Sequence, residues 1–499
     1  MVRKGKSLLK KKCPNWLAVI LGLVTLLRIP SLFEPFAYGD EMIYLALGNA
    51  VRQGVPLYSG IHDNKPPLLY LAAGLAGNVF WFRLMLAAWS LITIVLFYKL
   101  AKAFFPKKLG LQKIATIIFA VLTTIPLLEG NIANSEVFMV GFTIAGFLIL
   151  LTRKLSPKNL IIAGLMFSIA SLFKIPAAFD FPVIIVFWLI TIKKLNLKSI
   201  KKIAINTFYL TLGFLVPIII TFIWYYFAGS LWEYTVAAYL QNVGYLSSFR
   251  PGDVQEPFLA KNLPLLSRGA VVLVGISILA VFRKKLSKQF IFLCVWTLFS
   301  LFAVTLSERP YPHYLIQLAP VISIFYAMLF TLKTLEQSLV VIPLFLIFLA
   351  PVSFRFWHYP TSAYYARFVN YALGNINQKG YIESFGSNVY RNYEVAKFIS
   401  TISKESDKLY VWGDNAGLYA LTRKLPPIRY VADYHISDFS SKSEIVEKLE
   451  NNPPEIIVIH PEAPEYPELE ALLFNNYILV KEIEGSQIWK HTNLKAISM

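Results

Sequence analysis

The chain has 499 residues, of which 56% are hydrophobic, 15% aromatic and only 15% charged. An average soluble domain carries about 25% charged residues, so this composition argues against a soluble globular protein, and the apolar fraction excludes a disordered chain. The net charge of +19 does not indicate nucleic-acid binding, because the basic residues form short clusters between apolar segments. The 2 cysteines exclude a disulfide framework and a cysteine-built zinc site. These features predict a polytopic membrane protein.

A helix that crosses a membrane needs about 20 mostly apolar residues. Eleven candidate spans follow one another along the chain: Asn15–Ile29, Trp81–Leu100, Ile114–Leu128, Val137–Leu151, Asn159–Phe173, Ile175–Ile192, Ile205–Ala228, Leu265–Phe282, Gln289–Leu306, His313–Leu332 and Ser338–Phe354. The segment Pro66–Gly77 is apolar but short and begins with two prolines, which predicts a re-entrant or interfacial helix. The first span is expected to be a membrane anchor and not a signal peptide, because no small-residue cleavage site follows Ile29.

The basic residues predict the orientation of these spans. With the N-terminus in the cytoplasm, the cytoplasmic loops carry 24 Lys and Arg and the opposite loops carry 7, as the positive-inside rule requires. Counting Pro66–Gly77 as a further span would invert every later loop and remove this asymmetry. We therefore expect a multi-pass protein of the cell (inner) membrane, with a cytoplasmic N-terminus and long outer loops at 30–80 and 229–264.

The composition changes after Phe354. Residues 1–354 are expected to form the transmembrane domain, and residues 355–499 a small soluble α/β domain on the extracytoplasmic side. Buried strands are predicted at Lys408–Trp412 and Glu455–Ile459, and short helices at Ala416–Leu421 and Ser441–Leu449.

Two adjacent carboxylates, Asp40 and Glu41, follow the first span and precede a helical pattern from Tyr44 to Val51. A carboxylate at a partly desolvated, membrane-proximal site is costly unless it is paired, so this pair is a candidate for catalysis. The alternative is structural, with Asp40 as the N-cap of the helix and Glu41 favoured by the helix dipole.

A lysine stands at the mouth of the short apolar helix, in the segment His62-Asp63-Asn64-Lys65-Pro66-Pro67. On the outer side the ammonium group of Lys65 could hold a phosphate at the bilayer surface. The alternative is a snorkelling lysine before a helix that begins with proline.

Further polar residues are expected at the outer ends of later spans. Glu136 closes a tight outer turn that begins at Glu129, where it could face Asp40 across one vestibule or only start a helix. Lys174 lies at the next outer boundary and could contact substrate or pair with Asp180.

The segment Arg309-Pro310-Tyr311-Pro312-His313-Tyr314 leads into the tenth span. An imidazole at the outer surface could bind phosphate, ligate a metal or act as an acid or base, whereas a lone histidine is more often structural. Arg250 is a further outer cation. The sequence has no HExxH motif, P-loop, GxGxxG fingerprint or GxSxG elbow, which argues against an ATP-driven pump and a soluble-type hydrolase.

With these residues in place, the chain resembles the integral-membrane glycosyltransferases of the C-type fold. The nearer match is the bacterial branch that includes the lipid A aminoarabinose transferase and relatives of protein O-mannosyltransferases. The resemblance covers about the first 330 residues and implies about 11–13 transmembrane helices. Four features carry it: Asp40-Glu41, Lys65-Pro66-Pro67-Leu68, Glu136, and Pro312-His313-Tyr314.

The resemblance implies a polyprenyl-phosphate-linked sugar as donor and a lipid, glycan or protein as acceptor, on the extracytoplasmic face. Asp40 would be the main catalytic carboxylate with Glu41 beside it, and Glu136 would assist the base or a metal. The aminoarabinose branch often has an acid directly before its Lys-Pro-Pro step. Here Asn64 stands there, with Asp63 one residue earlier, so the metal role of that acid does not carry over directly. A divalent metal ion stays a candidate cofactor without assigned ligands. The expected substrate-binding residues are Asp63, Lys65 (on the donor phosphate), Lys174, Arg250, His313 and Tyr314.

The chemistry of this reaction needs few groups. A polyprenyl phosphate is already a good leaving group, so a carboxylate base and phosphate-binding cations are sufficient. Asp40 would take the proton of the acceptor hydroxyl, and direct displacement would invert the anomeric centre. The alternative function is a transporter or lipid flippase, which predicts polar residues near the membrane midplane. A noncatalytic scaffold protein would gain weight if Asp40 and Lys65 were far apart.

Overall fold

The computed structural model describes residues 14–241, 258–307, 309–413 and 416–492. Within them the chain is mostly α-helical, with a four-stranded sheet near the C-terminus. The chain forms two compact units. The first unit comprises the described parts of Met1–Ile29, Arg83–Tyr226 and Tyr239–Thr361, and the second those of Pro30–Phe82, Phe227–Ala238 and Ser362–Met499.

The first unit is built from long apolar helices with short connections. A helix satisfies every backbone polar group internally, as a hydrocarbon environment requires. Its helices are Asn15–Leu32, Val79–Phe104, Leu109–Leu122, Ser135–Thr152, Pro157–Phe173, Phe181–Ile190, Leu197–Phe227, Phe258–Phe282, Lys288–Val304, Ala319–Thr331, Leu335–Leu339 and Val341–Ser353. Short 3₁₀ turns at Pro126–Leu128, Ile175–Asp180 and Pro312–Leu318 connect or extend them.

The eleven predicted spans all lie on these helices. In the described part of the chain, seven helices are long and apolar enough to cross a membrane: Asn15–Leu32, Val79–Phe104, Ser135–Thr152, Leu197–Phe227, Asn262–Phe282, Pro312–Thr331 and Leu335–Ser353. The other four predicted spans correspond to shorter apolar helices of 10–17 residues, at Leu109–Leu122, Pro157–Phe173, Ile175–Ile190 and Lys288–Val304. The chain is therefore a multi-pass membrane protein.

Two helices of the first unit, Pro157–Phe173 and Leu197–Phe227, touch backbone to backbone. A Cβ atom added to Gly164 would lie 2.1 Å from the carbonyl oxygen of Leu210, and one added to Gly213 would lie 2.1 Å from that of Ile161. Small residues permit this close packing, on which helix association in lipid depends.

The second unit combines two helices that follow the first span with the C-terminal part of the chain. Its helices are Gly39–Arg52, Leu68–Ala76, Leu231–Thr235, Thr361–Ala372, Gln378–Glu383, Ser387–Ile402, Gly417–Thr422, Asp433–Phe439, Lys442–Asn451 and Pro467–Asn476. The predicted short helix at Pro66–Gly77 is present as Leu68–Ala76, and Gly77 ends it with φ 74°.

The helices Gly39–Arg52 and Leu68–Ala76 cross at a pair of glycines. A Cβ atom on Gly48 would lie 2.3 Å from the backbone nitrogen of Gly74, and one on Gly74 would lie 2.8 Å from the carbonyl oxygen of Gly48. Any side chain at either position would push the two helices apart. This contact therefore fixes the segment that begins with Asp40 and Glu41 against the helix that follows Lys65.

The C-terminal sheet has four strands: β1 (Leu409–Trp412), β2 (Ile456–Ile459), β3 (Tyr477–Ile483) and β4 (Ser486–His491). Their order in the sheet is β1-β2-β4-β3. Strands β1 and β2 are parallel, whereas β4 is antiparallel to both β2 and β3. Both predicted strands and both predicted short helices are confirmed to within two residues. The hairpin of β3 and β4 was not predicted, because the side chains of β3 are mostly exposed and show no apolar alternation.

A buried histidine follows β2. His460 is 1% exposed, and its Nδ1 atom lies 2.8 Å from Oγ of Ser486 on β4. Burial, together with the charge of Arg391, lowers the pKa of His460 to about 4.

We expect acid to destabilise this C-terminal sheet through His460. An unfolded histidine titrates near pH ~6.5, so between about pH 6.5 and about pH 4 the unfolded state binds more protons than the folded state. The free energy of unfolding should therefore fall with pH, by about 3 kcal/mol in total at about pH 4. The substitution His460→Gln should remove this component.

Hydrogen exchange of the β2 and β4 amides measures the effect in the full-length chain. Wild type and His460→Gln are compared at about pH 7 and about pH 4.5, with wild-type protection falling more between the two. An equal loss of protection in both proteins would contradict the expectation.

Candidate functional site

The described candidate residues form two polar clusters, one in each unit. The Lys65 cluster, in the second unit, consists of Asp40, Tyr44, Asp63, Lys65, Tyr70 and His435. The His313 cluster, in the first unit, consists of Glu129, Glu136, Lys174, His313 and Tyr314.

Asp63 is the centre of the Lys65 cluster and is 1% exposed. Its Oδ2 accepts hydrogen bonds from the Tyr70 hydroxyl at 2.7 Å and from Lys65 Nζ at 3.5 Å. Its Oδ1 accepts one from the backbone N–H of Asn64 at 2.7 Å and lies 3.3 Å from His435 Nε2. Burial alone would raise the pKa of Asp63, but Lys65 and His435 outweigh it and hold the pKa well below its usual range. Asp63 is therefore a carboxylate at neutral pH.

Lys65 is held through its backbone as well as its side chain. Its carbonyl oxygen accepts a hydrogen bond from the Tyr58 hydroxyl at 2.9 Å, and its N–H donates to the Tyr70 hydroxyl at 3.1 Å. Its ammonium nitrogen lies 4.9 Å from the centroid of the Tyr44 ring, within the range of a cation–π contact. The side chain of Lys65 is 20% exposed.

Asp40 and Glu41 occupy the first turn of the helix Gly39–Arg52. The N-cap residue is Tyr38, so the alternative interpretation of Asp40 as N-cap is wrong. Both carboxylates lie where the helix dipole favours negative charge. The Tyr44 hydroxyl donates to Asp40 Oδ2 at 3.0 Å, one turn along the helix. Tyr44 thus contacts Asp40 with its hydroxyl and Lys65 with its ring.

The C-terminal part of the chain contributes a residue that sequence analysis did not identify. His435 lies on the helix Asp433–Phe439 and is buried against Asp63. The preceding segment is attached by a hydrogen bond of 2.8 Å from the His62 N–H to the Arg429 carbonyl oxygen. The His62 ring also packs edge-on against that of His435, with centroids 5.8 Å apart. No sequence motif links residues so far apart in the chain.

In the His313 cluster, one carboxylate orients the imidazole. Glu129 is fully buried and adopts a left-handed backbone conformation, with φ 56°. Its Oε2 atom lies 2.5 Å from His313 Nδ1 and accepts a hydrogen bond from Asn134 Nδ2 at 3.1 Å. The sequence predicted Glu136 as the main carboxylate here, but Glu129 makes the shorter contact with His313.

The second carboxylate of this cluster pairs with a lysine. Glu136, in the first turn of the helix Ser135–Thr152, forms an ion pair with Lys174 and lies 3.8 Å from His313 Nε2. The ammonium nitrogen of Lys174 lies 3.7 Å from the centroid of the Tyr314 ring. The structure therefore brings together four residues that the sequence predicted separately.

Asp180 is satisfied by neutral groups. Its Oδ1 accepts hydrogen bonds from Trp296 Nε1 at 3.1 Å and Ser300 Oγ at 2.9 Å. Its Oδ2 accepts them from Thr143 Oγ1 and Gln317 Nε2, both at 3.2 Å. The alternative pairing of Lys174 with Asp180 is therefore wrong, since Lys174 pairs with Glu136. Asp180 instead connects four segments of the first unit.

Some predictions lie beyond these clusters. Arg250 lies outside the described residues. The expected facing of Asp40 and Glu136 joins residues of different units and stays a prediction. Among the described residues, no group of three or more His, Cys, Asp or Glu side chains is arranged to hold a metal ion. We therefore derive no step through the divalent metal that the sequence left open.

The helices and the sheet define the class of the protein: a multi-pass membrane protein with the C-type glycosyltransferase fold. The structure is similar to the crystal structure of ArnT (aminoarabinose transferase) from Cupriavidus metallidurans bound to undecaprenyl phosphate. The TM-score is 0.57 and the identity 14%, over 98% of this chain and 100% of that chain. At this identity the similarity shows the fold.

The oligosaccharyltransferase of Archaeoglobus fulgidus is a further solved structure with some similarity. Its apo form has a TM-score of 0.49 and 14% identity, over 98% of this chain and 76% of that chain. The form tethered to an acceptor peptide has a TM-score of 0.48 and 14% identity, over 96% and 74%. No model of a protein family matches the sequence, and no curated protein sequence matches it.

We expect the ion pair of Lys174 with Glu136 to be important for stability. The substitution Lys174→Met leaves Glu136, 3% exposed, without its ammonium partner, and should cost roughly 3–5 kcal/mol of unfolding free energy. The double variant Glu136→Gln/Lys174→Met should regain much of that loss, because it removes both charges. Thermal unfolding of the purified protein in lipid nanodiscs measures this.

The matched control is Lys198→Met, which makes the same replacement at an exposed lysine and should change the unfolding temperature little. If Lys174→Met unfolded at the wild-type temperature, or if the double variant were less stable than either single variant, the ion pair would not have this role.

Proposed function

We propose that the chain is a membrane glycosyltransferase. It moves a sugar from a polyprenyl-phosphate-linked donor to a hydroxyl or amine of a lipid, glycan or protein acceptor on the extracytoplasmic face. The observation that carries this proposal is the similarity of fold to ArnT across 98% of this chain and all of that one, in a structure that holds undecaprenyl phosphate. The position of lysines beside buried carboxylates in both clusters supports it.

In this proposal Lys65 binds the donor phosphate. Its ammonium group donates a hydrogen bond to Asp63, and its positive charge attracts an anion such as a phosphate. A cation in a partly desolvated site stabilises charge as it develops on the leaving phosphate. The contacts of the Lys65 backbone with Tyr58 and Tyr70 hold the group in place before the donor arrives, which lowers the entropic cost of binding.

Asp40 acts as the base that takes the acceptor proton. It is the more exposed of the two adjacent carboxylates, whereas Glu41 is fully buried. The acceptor oxygen or nitrogen then attacks the anomeric carbon, the bond to the phosphate oxygen breaks, and the configuration inverts. Tyr44 orients the base through its hydroxyl, and Glu41 stabilises the start of the helix.

The His313 cluster supplies the second set of binding groups in this proposal. Lys174, held by Glu136 and covered by Tyr314, and His313, oriented by Glu129, bind charged or hydroxyl groups of the donor or acceptor. Arg250 remains a candidate for the same role. In this proposal the C-terminal domain lies on the extracytoplasmic side.

We expect Asp40→Asn to lower kcat for sugar transfer by roughly 10²–10⁴-fold, because an amide cannot accept the acceptor proton. The unfolding temperature should remain near that of wild type, since Asp40 is partly exposed. Transfer from a panel of radiolabelled polyprenyl-phosphate sugars, in membranes and with or without a chelator, measures the effect. Chelator sensitivity would show that a divalent metal takes part.

The matched control is Glu233→Gln, which neutralises a carboxylate on another segment of the second unit and should keep wild-type kcat. Full activity of Asp40→Asn would eliminate the proposed base. Absence of transfer from every donor by folded wild-type protein would contradict the glycosyltransferase and favour the transporter.

A further inference from the structure

We propose that His435 is a positioning residue for Lys65 and acts through Asp63. The C-terminal part of the chain would then complete the donor-binding site of the second unit. This inference rests on the proposed function for what Lys65 binds, but its geometry stands on contacts within the second unit.

Two successive contacts connect the helix Asp433–Phe439 to the ammonium group of Lys65 through Asp63. His435 Nε2 lies 3.3 Å from one oxygen of Asp63, and Lys65 Nζ lies 3.5 Å from the other. His435 and Asp63 are each 1% exposed, so water does not compete for the contact between them. The two oxygens of one carboxylate move together, and a donor on Oδ1 therefore fixes the direction in which Oδ2 holds the lysine.

The remaining donors to Asp63 come from its own segment of the chain. The Asn64 N–H binds Oδ1 and the Tyr70 hydroxyl binds Oδ2. These two local bonds fix the turn before Pro66, but both move with that turn. His435 is the donor that comes from outside the segment, on the helix Asp433–Phe439. It therefore ties the turn, and Lys65 with it, to the C-terminal part of the chain.

The segment that carries His435 is itself anchored to the same turn. The Arg429 carbonyl oxygen accepts a hydrogen bond from the His62 N–H at 2.8 Å, next to Asp63. The His62 ring packs against those of Tyr430 and Phe439, with centroids 5.5 and 5.2 Å away. The aromatic contacts hold the helix in place, and His435 provides the polar contact. Loss of the imidazole would remove its own ring contact with His62 but would leave those of Tyr430 and Phe439. Asp63 would lose the donor that this helix supplies.

Binding of undecaprenyl phosphate to the full-length protein in nanodiscs tests the inference. Removal of a hydrogen bond to a charged group should weaken this binding about tenfold in His435→Ala. Lys65→Ala should weaken it at least as much. Because His435 acts only through the lysine, the double variant His435→Ala/Lys65→Ala should bind no more weakly than Lys65→Ala alone. His435→Gln, which retains an N–H donor, should recover part of the loss.

The matched control is His460→Ala, which truncates an equally buried histidine of the same C-terminal part that contacts Ser486 instead of Asp63. It should bind undecaprenyl phosphate as wild type does. Thermal unfolding of each variant shows that the comparison is made on folded protein.

A second readout needs no donor. The rate at which an amine-acylating reagent modifies Lys65, followed by mass spectrometry of the peptide, should rise several-fold in His435→Ala and stay unchanged in His460→Ala. Additive effects of His435→Ala and Lys65→Ala on binding, or an unchanged acylation rate, would overturn the inference. If wild type bound no undecaprenyl phosphate, the proposed function would fail, while the acylation rate would still decide the role of His435.

Discussion

The second unit depends on one buried carboxylate. Asp63 is removed from water, and an ionised carboxylate is tolerated there only when hydrogen bonds and a nearby cation replace its hydration. The structure meets this requirement with a backbone amide, a tyrosine, a lysine and a histidine. The amide of Asn64 and the ammonium group of Lys65 belong to the turn before Pro66. The hydroxyl of Tyr70 belongs to the short helix, and the imidazole of His435 to the C-terminal helix Asp433–Phe439. The need to satisfy Asp63 therefore organises the site around Lys65.

The fold could be predicted from the sequence wherever neighbouring residues in the chain form a recognisable apolar pattern. Long apolar runs predicted the positions of the spans, and short apolar runs rich in β-branched residues predicted β1 and β2. Local patterns failed at β3, because an exposed strand has no apolar face to reveal it. The crossing at Gly48 and Gly74 was likewise hidden, because a glycine that permits a close approach has the same sequence signal as one that does not.

The candidate site was predictable only in part, because some of its contacts join residues that are far apart in the sequence. Asp40 and Lys65 stand out because a charged residue is costly beside an apolar segment, and the structure brings both of them to Tyr44. The contribution of His435 depends on tertiary contacts, which sequence spacing does not encode. The same holds for the contact of Glu129 with His313, since a carboxylate in a turn reveals nothing about the imidazole that it meets later in the chain.

The buried carboxylates Asp180, Asp63 and Glu136 differ in the groups that compensate their charge. This difference distinguishes a carboxylate with a structural role from those beside the proposed binding lysines. Asp180 accepts hydrogen bonds from four neutral groups on three other segments, so its role is to hold those segments to its own. Asp63 and Glu136 instead face lysines. An ammonium group has three protons, so it can in principle bind a carboxylate and an anion at the same time. The indole of Trp296 has a single N–H, which Asp180 already accepts. In the proposed reaction, a phosphate would therefore meet a lysine whose direction is already set by its carboxylate.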